Sequence, residues 1–147
     1  MWRDKAASYW INLISRTSRA HYEREFAPYK LSSGSYGILM VLFRYNGITQ
    51  NQLCSHLIVH KANITRALQK LEKEGYVRRE QDSVDSRTYR IFLTQKAREA
   101  RPKIDAHLQQ WNDNLLQPLT SYEREELLEL LKKIAYHLHP QQSFEEL

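Results

Sequence analysis

The run ITQNQLCSHLIVHKANITRALQKLEKEGYVRREQDSVDSRTYRIFLT, residues 48–94, constrains the fold more than any other part of this chain. Thr49 followed three residues later by Gln52 is a capping box, and it starts a short helix carrying Leu53 and Leu57 one turn apart. Ile58 and Val59 leave room only for a turn. A second helix is predicted over 61–74, ended by Gly75, the residue that most easily turns left-handed at a helix end. Residues 76–79 and 89–94 then alternate in strand fashion around the polar tip QDSVDSR, which reads as a hairpin.

The flanks read as long helices, because only four glycines and four prolines punctuate 147 residues. A stripe of Ala6, Trp10, Leu13, Ile14 and Thr17 predicts a helix over 6–26, closed by Pro28. Another helix is expected after the turn SSGS, with Tyr36, Leu39, Met40 and Phe43 on one side and Gly47 just past its end. The nearly unbroken apolar run 38–43 buries that helix on most sides. A helix over 95–117 is bent or irregular near Pro102 and stops at Pro118. The last helix starts at Thr120 with a second capping box to Glu123 and carries Leu127, Leu128, Leu131 and Ile134. The tail 140–147 is expected to fray. The chain has the length of one domain, mainly α with a small β-hairpin.

Charge narrows the partners. The net charge is +5, and it divides as +4 over 1–47, +3 over 48–94 and −2 over 95–147. A polyanion is therefore expected on the first two stretches and not on the last. One cysteine, Cys54, cannot form an internal disulfide. No apolar run approaches the ~18 residues of a membrane span, and the first ten residues lack a signal-peptide pattern, so a cytoplasmic chain with no membrane contact is expected. Paired carboxylates, a phosphate-cradling glycine loop and a nucleophile–base pair are all missing, which excludes the usual enzyme classes and leaves no cofactor to expect. His56 and His60 are separated by the turn, and His137 and His139 fare no better, so no metal site is expected.

On a helical wheel, Ile64, Leu68 and Leu71 fall together with Ala67 beside them, so that side of 61–74 packs inward. The opposite side collects Ala62, Arg66, Gln69 and Lys73, flanked by Lys61, Asn63, Thr65 and Lys70. Arginine can grip guanine bidentately, and asparagine or glutamine can grip adenine. Small Ala62 lies near the N-terminal end that recognition helices use for base contacts. A solvated polar face would look the same on this helix alone. The capped helix before it and the basic hairpin after it favour DNA.

The segment LQKLEKEGYVRR, residues 68–79, and the stretch DSVDSRTYRIFLT, residues 82–94, resemble the MarR family of bacterial and archaeal transcription regulators. The family's D-x-R and hydrophobic-Leu-Thr strand end match Asp85, Arg87, Leu93 and Thr94, and its helix layout matches the whole chain. Many members carry a further arginine where this chain has Ser86. The resemblance implies a winged helix-turn-helix over about 31–94, with dimerisation helices over 1–30 and 95–147. It makes Arg87 the wing arginine of the minor groove and Asp85 its support. Arg78 and Arg79 divide between the hairpin's packed face and a phosphate; the residues leave that choice open, and Arg79 is carried as the contact. The resemblance further implies a homodimer on a near-palindromic operator, with the stripes at Leu108, Trp111, Leu115, Leu127, Leu131 and Ile134 suited to the dimer seam, and repression relieved by a small aromatic or anionic effector. Trp10, Arg16, His21 and Tyr36 are the candidate effector residues. Two alternatives stand beside this: a winged-helix protein-interaction module, and a thiol-responsive regulator acting through Cys54, which more naturally reads as a small buried residue.

Overall fold

A computed structural model of the chain describes residues 2–142. Among them, six α-helices and three short strands follow in the order α1 (Ala7–Phe26), α2 (Ser33–Arg44), β1 (Ile48–Thr49), α3 (Gln50–Leu57), α4 (Lys61–Lys73), β2 (Val77–Gln81), β3 (Tyr89–Leu93), α5 (Gln95–Leu116) and α6 (Ser121–Leu138), with 3-10 turns at Trp2–Lys5 and Ala27–Tyr29. The chain forms two compact units, residues 1–104 and 105–147. Residues 143–147 of the tail expected to fray lie outside the described residues.

The core of the first unit is built from Phe26, Ile38, Leu39, Leu42, Leu53, Leu68, Leu71, Ile91 and Ile104, all fully buried. α2 is its centre: Ile38, Leu39, Val41 and Leu42 are sealed on successive faces, as the apolar run requires. The helix begins earlier than the sequence suggests, because Ser33, Gly34 and Ser35 form its first turn rather than a separate one. The reason is a cap delivered from α1. Glu23 Oε1 accepts the Ser33 amide at 3.0 Å and its hydroxyl at 2.6 Å.

The hairpin is joined by a third strand that the sequence does not announce. β1 is two residues long and pairs antiparallel with β3, giving the order β1-β3-β2. Gly47, at φ +84°, turns the chain into this strand, and its amide donates to the Ile91 carbonyl at 2.9 Å. Asn46 Oδ1 accepts the Leu93 amide at 2.8 Å beside it. Together these bonds tie the hairpin's root to the end of α2.

Both expected capping boxes are present, at Thr49 with Gln52 and at Thr120 with Glu123. α5 continues through Pro102. The residue sacrifices one backbone donor there, yet the helix is not interrupted. In the second unit α6 has no buried residue, and Leu128, Leu131, Ile134 and Leu138 are exposed. In the first unit the apolar stripe of α1 is also turned outward, with Trp10 and Ile14 each 45% exposed.

Candidate nucleic-acid interface

α4 has two faces with different chemistry. Ile64, Leu68 and Leu71 are buried, while Lys61, Ala62, Asn63, Arg66, Gln69, Lys70 and Lys73 are exposed. Arg66 Nη2 donates to Asn63 Oδ1 at 2.8 Å, so the amide and the guanidinium are held side by side one turn apart. Thr65 is half-buried at the edge toward α3. Its hydroxyl donates to the Lys61 carbonyl at 2.9 Å and accepts from Gln50 Nε2 at 2.6 Å, which clamps the two helices across the turn.

The hairpin tip is ordered by two aspartates. Asp85 Oδ1 accepts the Arg87 amide at 3.0 Å and Arg87 Nε at 3.3 Å, and Oδ2 accepts the Thr88 hydroxyl at 3.2 Å. The Arg87 amide, and then its side chain, hold the Asp85 carboxyl below the usual carboxylate range. The Arg87 side chain is nevertheless 91% exposed, so Asp85 holds it through the amide and Nε while the outer edge of the guanidinium faces solvent. Asp82 is likewise held ionised, chiefly by a side-chain hydrogen bond from Arg90.

The strand register separates Arg78 from Arg79. Arg79 pairs with Ile91 and shares its helix-facing side, whereas Arg78 pairs with Phe92 on the other side. The Arg79 guanidinium is half-buried, with Nε 3.2 Å from Glu72 Oε2 on α4 but not aligned for a hydrogen bond. Arg78 lies over the Phe92 ring at 5.0 Å and pairs with Glu80. Arg79 also lines a small hollow of about 180 Å³ with Lys61, Arg87, Thr49, Gln50 and Tyr89. Lys61 from the helix and Arg87 from the wing thus border one concavity.

A larger crevice of about 780 Å³ lies on the same unit, lined by Arg19, Tyr22, Glu23, Tyr36, Arg66 and Lys70 among others. Of the four effector candidates from sequence, Tyr36 lines it; Trp10, Arg16 and His21 do not. His21 instead sits against Arg24, with Nδ1 3.2 Å from Nη2. Arg19 and Tyr22 line the crevice, about one turn from Arg16 and one residue from His21. The missed signal was a second helical stripe, Ser15, Ser18, Arg19 and Tyr22, too polar to read as a packed face. Burial and the neighbouring Tyr36 push the Tyr22 phenol up to about 12.

Cys54 is half-buried on α3. His56 stacks on Tyr45 with ring centroids 4.6 Å apart. Among the described residues, no three His, Cys, Asp or Glu side chains gather in a way that could hold a metal ion. No helix there is long and apolar enough to cross a membrane.

The profile of the MarR family matches residues 31–89. The chain is 32% identical to a MarR transcriptional regulator from Methanosarcina mazei Go1, whose crystal structure superposes with a TM-score of 0.84 over 88% of this chain and 94% of that one. A MarR family transcriptional regulator from Listeria monocytogenes, solved in complex with a 26mer DNA, is 25% identical with a TM-score of 0.84, covering 90% of this chain and 89% of that one. The HTH-type transcriptional regulator BilQ of Clostridioides difficile is 27% identical over 127 residues, 86% of each chain. The likeness runs through the flanking helices as well as the hairpin and α4, and this protein belongs to the MarR family of transcriptional regulators.

Proposed function

We propose that the protein is a sequence-specific double-stranded DNA-binding repressor that grips a near-palindromic operator as a homodimer. One observation carries the reading: an exposed Asn63–Arg66–Gln69 face on a helix whose other side is core, beside a wing whose exposed arginine is oriented by Asp85. Lys61, Ala62, Asn63, Arg66 and Gln69 meet base edges and nearby phosphates in the major groove. Lys70, Lys73 and Arg79 neutralise backbone, and Thr65 positions the helix. Arg87 enters the minor groove, where narrow A·T tracts concentrate negative potential, and Asp85 supports it. The Listeria relative crystallised with a 26mer DNA supports DNA as the partner.

The test is duplex binding to the DNA upstream of its own gene across a salt series. Affinity should fall steeply with salt as condensed counterions are released. Arg66→Ala or Gln69→Ala should each cost about 1–3 kcal/mol and relax preference at one base pair. Equal affinity for that DNA and a random duplex would reject the sequence-specific reading.

The effector seat in this reading is the large crevice. Its lining holds Arg19, Arg66 and Lys70 against one carboxylate, Glu23, with Tyr22 and Tyr36 as aromatic wall. A small aromatic anion suits that chemistry. Bound there, it draws Arg66 and Lys70 away from DNA, so release follows from competition for the same two cations.

A further inference from the structure

The wing tip is closed on itself by local bonds: the Asp82 amide donates to the Thr88 carbonyl at 2.8 Å, and the Thr88 amide to the Asp85 carbonyl at 2.9 Å. These bonds set the shape of the tip, which continues from the β2–β3 ladder, while the backbone ties to the α2–β1 corner lie at the hairpin's root, at Ile91 and Leu93. Arg90 adds a direct side-chain link from the tip to that corner. Its Nε donates to Asp82 Oδ1 at 2.5 Å, and its Nη1 donates to the Gly47 carbonyl at 3.0 Å. Asp82, whose side chain is only 10% exposed, uses its other oxygen to accept the Asp85 amide at 3.2 Å. Asp85 in turn holds Arg87 through both amide and Nε.

The far end of this relay is a fixed point. Gly47 is in the left-handed region, is bonded to Ile91 and lies so close to the Phe92 ring that a Cβ would meet it at 2.7 Å. The relay therefore runs from a rigid carbonyl through Arg90, Asp82 and Asp85 to the base of Arg87. Charge-assisted bonds of this kind are among the stronger protein hydrogen bonds, and a planar guanidinium can address two acceptors at a set angle. Arg90 pairs with Thr49 and Glu80 on the sheet side opposite the buried Ile91, so packing does not demand an arginine there.

We infer that Arg90 is a positioning residue for DNA recognition: it locks the wing to the α2–β1 corner so that Arg87 arrives at the minor groove already aimed. A long, exposed arginine pays an ordering cost on binding, and a tip held at a fixed angle reduces it. The inference rests on the wing–groove reading proposed above.

The test uses the full chain and its upstream duplex. Arg90→Leu should weaken binding by about tenfold, the loss expected when one charged hydrogen-bonded link is removed. The slope of affinity against salt should stay at the wild-type value, because Arg90 touches no phosphate in this scheme. Arg90→Lys, which keeps the charge and loses the two-pronged fork, should recover only part of the affinity. The double variant Arg87→Ala/Arg90→Leu should bind no worse than Arg87→Ala, since Arg90 acts through Arg87. Multiplying losses, or a salt slope reduced in Arg90→Leu, would overturn the inference. Hydrogen exchange in the free protein gives a readout that needs no DNA: the Asp85 amide should exchange faster in Arg90→Leu while the Ile91 and Leu93 amides do not change. If the wild type binds no duplex at all, the DNA reading fails and exchange still decides the lock, with an unchanged Asp85 amide overturning it.

Discussion

Gly47 and Ile58 both hold positive φ, and they do so at very different cost. At Gly47, φ is +84° and the Phe92 ring stands where a side chain would begin. Gly47→Ala combines backbone strain with a steric conflict and should destabilise by about 2–3 kcal/mol in urea unfolding. A loss under about 0.5 kcal/mol would mean that the ring yields freely. Ile58, at φ 52° and 43% exposed, is a β-branched residue in a region such residues avoid. It closes α3 through its amide, which donates to the Cys54 carbonyl at 3.1 Å. Because left-handed backbone costs an L-residue roughly 1–2 kcal/mol, Ile58→Gly should stabilise by about 1 kcal/mol in the same assay. No gain would show that the side chain's contacts matter as much as the strain. Gly47 was legible as a glycine past a helix end. Nothing in the letters Leu-Ile-Val announces a left-handed isoleucine.

At the scale of elements, two kinds of helix cap behave differently. The capping boxes at Thr49 and Thr120 are local, each closed within four residues, and the spacing alone reveals them. The cap on α2 comes from Glu23, ten residues back and on another helix, so no local pattern displays it. The Ser33 side chain holds Glu23 below its ordinary value of 4.5, and the Thr120 amide does the same for Glu123. A carboxyl that ionises more readily folded than unfolded adds stability that is complete above its unfolded value and drains as pH falls through the folded one. Thermal midpoints should therefore hold steady at neutral pH and begin to drop as acid passes about pH 4.5. Glu23→Gln/Glu123→Gln should flatten that acid limb. An unchanged limb in the double variant would assign acid sensitivity to other carboxylates. The strand β1 belongs to the same lesson: two residues are too few to show a period, and only pairing with β3 defines them.

At the scale of the molecule, the outward apolar faces matter most. Trp10, Ile11, Leu13 and Ile14 on α1, and Leu128, Leu131, Ile134 and Leu138 on α6, are exposed in a single chain. Exposed apolar surface on this scale marks an interaction face, and a second copy of the chain is the expected cover. The protein should sediment as a dimer at micromolar concentration; a monomer there would reject the homodimer. Trp10→Glu/Ile14→Glu should dissociate it and weaken operator binding with it. The crevice makes a separate prediction: an aromatic carboxylate such as benzoate should lower DNA affinity, and Arg19→Ala should abolish that response while leaving affinity without ligand near wild type. Persistence of the response in Arg19→Ala would place the effector elsewhere. By itself the sequence determined the periods of the helices, the two faces of α4, the glycine stops and the capping boxes, because each depends on residues within a turn or two of one another. Tertiary structure decided which side of α1 faces its own unit. The apolar stripe from Trp10 to Ile14 is exposed, while Tyr22 and Phe26 at the other end of the helix turn in against Tyr36. It also decided the third strand, the cap from Glu23 and the tether from Arg90 to Gly47, since these join groups that lie far apart along the chain and meet only when the core is packed.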